Sequence, residues 1–133
     1  MTQTTILDNE FVTVWHHSDT NIVHHRFRKY TYGDPFRECL MKIIDLLEQK
    51  GAEKWLSDDR NLRALSDEDQ KWANTAWRSR ETAIRWKYWA VVVPESAIGK
   101  MTIEKKKDKV EKEGLTVRMF SDPDEAMAWL ESM

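Results

Sequence analysis

Apolar positions along this chain change period several times, and each change marks an element. Phe11-Val12-Thr13-Val14-Trp15-His16-His17 and the stretch from Asn21 to Tyr32 are rich in β-branched and aromatic residues, with turn formers Ser18-Asp19-Thr20-Asn21 between them. They are predicted to pair as a hairpin. With Asp19-Thr20 at the turn centre, His17 faces Ile22, Trp15 faces His24 and Val14 faces His25. Val12, Val14, His16, Val23, His25 and Phe27 then share the expected core face, and Phe11, Thr13, Trp15, His17, His24, Arg26 and Arg28 the other. Both faces are partly apolar, as in a sheet covered on both sides or held in an oligomer. A short strand over Thr4 to Leu7 and a turn at Asp8-Asn9-Glu10 precede the hairpin.

After Gly33 the period becomes helical: Phe36, Leu40, Ile43, Ile44 and Leu47 recur with charges between them, with Asp34 expected as N-cap, Pro35 at the first helical position and Gly51 closing the helix. A short buried run, Lys54-Trp55-Leu56-Ser57, stops at Asp58-Asp59-Arg60-Asn61, and Leu62 to Leu65 reads as loop. Ser66-Asp67-Glu68-Asp69 starts a helix carrying Trp72, Ala73, Ala76 and Trp77, expected to fray between Arg80 and Arg85. Tyr88-Trp89-Ala90-Val91-Val92-Val93 is unbroken and apolar, as a central parallel strand is. A helix capped by Ser96 follows, with a thin apolar stripe and a broad solvated face, and ends at Gly114. Leu115 to Phe120 alternates as an edge strand, and Asp122-Pro123-Asp124-Glu125 opens a last helix burying Ala126, Met127, Trp129 and Leu130. A β-hairpin region followed by α-β-α-β-α-β-α predicts one α/β domain over residues 1–133, with a mixed sheet of five to six strands, four helices and right-handed crossovers.

Composition changes this picture little. Charged residues are 33% and hydrophobic ones 41% of the chain, ordinary for a globular domain. A net charge of −2 with the two signs interspersed gives no basic footprint for nucleic acid. No apolar run approaches the roughly 20 residues of a membrane span, and Met1-Thr2-Gln3-Thr4-Thr5 does not open like a signal peptide. A single cysteine, Cys39, on apolar helix positions suits a small buried hydrophobe and a cytoplasmic protein. Seven tryptophans are the exception; in so small a domain they suggest a pocket or an oligomer contact beside core filling.

The segment Gly51 to Asn61, the helix start Ser66 to Trp77, the run Ala90-Val91-Val92-Val93-Pro94-Glu95 and the ending Val117 to Leu130 resemble the uncharacterised bacterial SpoIIAA-like proteins, grouped with STAS domains and the lipid-binding Sec14 fold. The resemblance spans roughly residues 5 to 131 and implies a β-α superhelix. The Asp-Ser-Ser-Gly-like phosphorylation loop of the antagonist proteins is missing: Ser57 and Ser66 flank the corresponding region outside any such tetrad.

Candidate chemistry concentrates after the Trp55 strand. Asp58, Asp59, Arg60 and Asn61 at the carboxyl edge of a central strand could orient a polar ligand or Mg²⁺. The plainer alternative is that one aspartate caps the loop or pairs with Arg60 while the other is solvated. Trp72 and Trp77 cannot share one narrow stripe, so one of them is expected at a pocket or interface. His16 with His25, diagonal across the hairpin, are weak metal candidates lacking a third ligand. Arg78, Arg80, Arg85 and Lys87, like Lys105 to Lys107, read as solvated faces. No cofactor motif is present. Three readings follow: a regulatory protein-interaction module forming a homo-oligomer; a carrier or sensor of a small apolar or lipid-like ligand, marked by a tryptophan-lined pocket of several hundred Å³; and a small enzyme using Asp58, Asp59 and Arg60, which requires their side chains to converge.

Overall fold

The computed structural model describes residues 3–62 and 65–133. Met1 and Thr2 at the start, and Arg63 and Ala64 of the expected loop over Leu62 to Leu65, lie outside the described residues. In order, the elements are β1 (Gln3–Asp8), β2 (Val12–His17), β3 (Ile22–Phe27), α1 (Asp34–Lys50), β4 (Lys54–Asp58), α2 (Asp67–Arg78), a 3-10 turn (Glu81–Ala83), β5 (Tyr88–Val92), α3 (Ala97–Lys112), β6 (Thr116–Phe120) and α4 (Pro123–Ser132). The protein is α/β, with one six-stranded mixed sheet whose strands lie side by side in sequence order. β1, β2 and β3 are antiparallel, and β3 through β6 run parallel.

The hairpin register is the predicted one, with His17 opposite Ile22, Trp15 opposite His24 and Val14 opposite His25. β3 stops at Phe27, five residues short of the Tyr32 expected from composition, because its partners run out. β2 pairing ends at Val12–Phe27, β4 pairing ends at Arg26–Asp58, and only the Arg28 N–H still reaches the Phe11 carbonyl, 2.8 Å away. The start of α1 also differs. Asp34 is its first helical residue and does not cap it; Gly33 takes the N-cap position at φ +65°, a backbone region that favours glycine. No side chain caps the first turn of α1; the Gly33 N–H itself donates to Asp69 of α2 at 2.9 Å, which fixes the entry of the helix. Ser66, Ser96 and Asp122 cap α2, α3 and α4 with their side chains as their positions predict. The segment expected to fray after α2 is pinned by Arg80, which bonds Asp45 and Glu48 of α1.

A sheet that steps one way with crossovers of one hand places the intervening helices on one face. The core divides accordingly. Phe36, Cys39, Ile43 and Leu47 of α1, Ala73 of α2, and Ile103 and Val110 of α3 pack on Val14, Val23, Trp55, Trp89 and Val91. On the opposite face Ala126 and Leu130 of α4 close over Ile22, Leu56, Ala90, Val92 and Phe120. No helix among the described residues is long and apolar enough to cross a membrane.

Candidate functional site

Strand alternation separates the polar cluster after Trp55. Successive side chains of β4 point to opposite faces, so Trp55, Ser57 and Asp59 turn toward α1–α3, while Leu56 and Asp58 turn toward α4. Asp58 is buried and takes a bidentate pair from Arg60, Nε at 2.9 Å and Nη2 at 2.8 Å. That hydrogen bonding raises the Arg60 pKa, with the charges of Asp122 and Asp124 adding to it. Asn61 is exposed and donates from Nδ2 to the Phe27 carbonyl at 3.2 Å, tying the loop to the end of β3. The expected set of Asp58, Asp59 and Arg60 therefore does not converge; Asp58 and Arg60 satisfy each other, and Asp59 is left alone on the other face.

Asp59 is not solvated, as the plain reading had it, but 4% exposed. One oxygen accepts the Ser57 hydroxyl at 2.8 Å and the other lies 3.0 Å from His25 Nε2. The Trp55 indole, which can only donate, reaches His25 Nδ1 at 3.0 Å. Nδ1 is thus the acceptor, so the neutral ring carries its proton on Nε2 and donates it to Asp59. This order decides the chemistry. A serine nucleophile needs its proton taken by a free imidazole nitrogen, whereas here Ser57 donates to the carboxylate and both ring nitrogens are engaged. The arrangement is a buried hydrogen-bond network around one carboxylate. Cys39, facing the same cavity, is no substitute nucleophile: burial first, then the Asp59 and Glu38 charges, push its thiol pKa well up.

The network forms the floor of a cavity of about 60 Å³, walled by Phe27, Phe36, Leu40, Ile43, Trp89 and Ile103 and bordered by Lys106. A second cavity of about 90 Å³ adjoins it, sharing Leu40, Trp55 and Lys106 and adding Trp77 and Trp86. A third opening between α2 and α3, about 330 Å³, is bounded mainly by polar side chains, Lys106 again among them. Four tryptophans form a continuous cluster at this place, with ring centroids 5.0 Å apart for Trp77–Trp86, 4.9 Å for Trp55–Trp86 and 5.6 Å for Trp86–Trp89. Trp55 and Trp86 each donate their N–H, Trp86 to the Tyr88 carbonyl. The Trp89 N–H is buried with no acceptor.

Trp77 thus lines the site, whereas Trp72 sits apart under the Arg37 guanidinium, 5.3 Å from the ring centre. His16 and His25 do not come together on a metal: His16 Nε2 lies 2.8 Å from Asn21 Oδ1, and His25 is held by Trp55 and Asp59. No group of three metal-ligating side chains forms among the described residues. Ser66 is occupied as a helix cap and Ser57 is 2% exposed, so neither is presented as a modification site. Lys106 is the site residue that sequence reasoning missed, while His25 entered it only as a weak metal candidate and Ser57 only as a serine outside a phosphorylation tetrad.

No family model, curated protein or solved structure matches this chain.

Proposed function

We propose that the chain is a small-molecule-binding domain, a carrier or sensor rather than an enzyme, whose ligand seats beneath α3. The supporting observation is the pair of adjoining cavities that share Trp55, largely apolar in their walls and with the polar His25–Ser57–Asp59 network on the floor of the first, the usual composition of a ligand site. The nucleophiles within reach are spent on the buried network or held protonated, which leaves recognition as the work of the site. The Sec14 side of the resemblance gives the same direction, with a correction of scale. Neither tryptophan-lined cavity approaches several hundred Å³, and 60 Å³ admits roughly four to six water-sized centres. A cavity that takes a benzene ring measures about 150 Å³, so the first cavity alone admits a short chain, a ring needs the two adjoining cavities together, and a lipid acyl chain is too large.

A ¹⁵N-indole NMR titration with benzamide, a neutral ring of suitable size, tests this. The expected result is saturable movement of the Trp55, Trp86 and Trp89 signals at millimolar probe, with Trp15 and Trp129 unmoved as internal controls. Absence of movement at the first three, with benzamide and with its anionic counterpart benzoate, overturns the reading.

Self-association retains one supporting observation. α4 packs on β4, β5 and β6, and leaves Trp15, His17 and His24 of the hairpin half-exposed on its own side of the sheet. A monomeric mass by light scattering at micromolar concentration ends that second reading.

A further inference from the structure

Lys106 lies in a run, Lys105-Lys106-Lys107, that looks like solvated helix surface, yet it falls on the inward stripe of α3. Gly99, Ile103, Lys106 and Val110 follow helical spacing, and the other three are buried. Its side chain borders all three openings beneath α3, and its Nζ lies 5.6 Å from the centre of the Trp89 ring. None of the ion pairs found among the described residues includes it. Burial lowers its pKa, with Asp59 opposing the shift and Lys109 adding to it. Asp59 is not its ion-pair partner: no Lys106 contact with its carboxylate falls within ion-pair distance, and its two oxygens are engaged by Ser57 and His25.

At one junction, then, stand an ammonium without an ion-pair partner and, in the ring it overlies, an indole N–H without an acceptor. A donor kept from water without an acceptor is costly, and so, to a lesser degree, is an unpaired charge that is half-buried. Both are donors, so the group that satisfies them is an oxygen acceptor carrying negative charge. The space beside them accepts a ring or a short chain.

We propose that the ligand is a small apolar monocarboxylate, an aromatic or short-chain acid, with its carboxylate held by Lys106 Nζ and Trp89 Nε1–H and its apolar body in the two adjoining cavities that Lys106 borders. This rests on the binding-domain reading above and names its ligand class. Charge-assisted hydrogen bonds are about twice as strong as neutral ones, and the Asp59 charge on the cavity floor keeps the carboxylate at the Lys106 end.

The test compares benzoate with benzamide, which share a ring and differ in charge, by the same indole titration. Benzoate is expected to bind at least ~10-fold more tightly and to move the Trp89 Nε1–H signal, assigned with Trp89→Phe, downfield as it gains an acceptor. In Lys106→Met, which keeps an apolar stem on a half-buried helix position, benzoate is expected to fall to the affinity of benzamide. Equal affinities in the unsubstituted protein, or a preference for benzoate that survives Lys106→Met, overturns the carboxylate while leaving the binding-domain reading in place. Failure of both probes to move Trp55, Trp86 or Trp89 overturns that reading and this inference with it.

Discussion

Asp58 and Asp59 are adjacent, both buried, and treated in opposite ways. Asp58, facing α4, receives a bidentate guanidinium from Arg60, whose side chain is 33% exposed. Asp59, facing α3, receives only neutral donors and borders a cavity. On the α4 side charge is cancelled locally; on the α3 side charge and donors are left partly unmatched around open space. The comparison breaks most sharply when each carboxylate is removed. Asp59→Ala leaves the Ser57 hydroxyl buried without its acceptor and the His25 Nε2–H with only the Ser57 oxygen, 3.5 Å away, and should cost about 3 kcal/mol. Asp58→Ala frees a guanidinium that can turn to water and should cost about 1 kcal/mol. Asp59→Asn should restore most of the loss, since Ser57 can rotate to accept from the amide while the amide oxygen serves His25. Urea unfolding of the three variants measures this; equal losses for the two alanine variants would sink the distinction.

Alanines on the two faces sharpen it further. Ala90 of β5 is 0% exposed within the α4-side core, and Ala73 of α2, 7% exposed, borders the second cavity. Ala90→Leu overpacks a filled site and should cost about 2–3 kcal/mol. Ala73→Leu has about 90 Å³ beside it and should change stability by less than about 1 kcal/mol in either direction. It should also block benzamide. A large loss at Ala73 would mean that the cavity does not exist in solution.

Much of this contrast was already legible in the residues, though not all of it. The hairpin register follows from the turn at Asp19-Thr20, and with it the placing of His25 on the core face. The same period of two, carried through β4, sends Trp55, Ser57 and Asp59 one way and Leu56 and Asp58 the other. Treating Asp58, Asp59 and Arg60 as one loop cluster ignored that alternation. Lys106 was hidden by its neighbours: a lysine run reads as surface, and only the helical phase set by Ile103 and Val110 turns its middle member inward. The tie from Gly33 to Asp69 at the start of α1 could not be foreseen, because it depends on how α2 docks 36 positions along the chain. The empty space beneath α3 is likewise a property of packing, which residue types constrain only loosely.

Histidines give the same comparison in a titratable form. His24 and His25 are neighbours on opposite faces; His25 is locked in the network, whereas His24 lies against Trp15 at 4.5 Å and His17 at 5.4 Å between centroids. Burial, then the nearby His17, His25 and Arg26 charges, lower the His24 pKa to about 3. The unfolded chain binds this proton near pH 6.5 and the folded one only near 3, so stability falls as pH drops through that window. Between pH 6.5 and 5 the loss should be about 2 kcal/mol. His24→Phe, which keeps a ring against Trp15, should remove that share of the acid sensitivity. The same pH dependence in both proteins would contradict the shift.

Lys106 supplies the smallest expected effect and the one that joins the two halves of the comparison. Its folded pKa lies below the unfolded value near 10.4, so the unfolded chain holds this proton more tightly between the two values. Stability therefore rises with pH through that window, and the penalty for the buried ammonium is complete below it. Lys106→Met should accordingly stabilise the protein at neutral pH by less than about 1 kcal/mol, since the half-buried side chain is partly screened by water. The gain should fade as pH climbs toward 10.4. Asp59 is the charge that raises the Lys106 pKa, so in an Asp59→Asn background the window should widen downward and the gain from Lys106→Met should grow. Additive effects of the two substitutions would show that the carboxylate on the floor and the ammonium at the border do not sense each other, and would separate the floor of the cavity from its charged border.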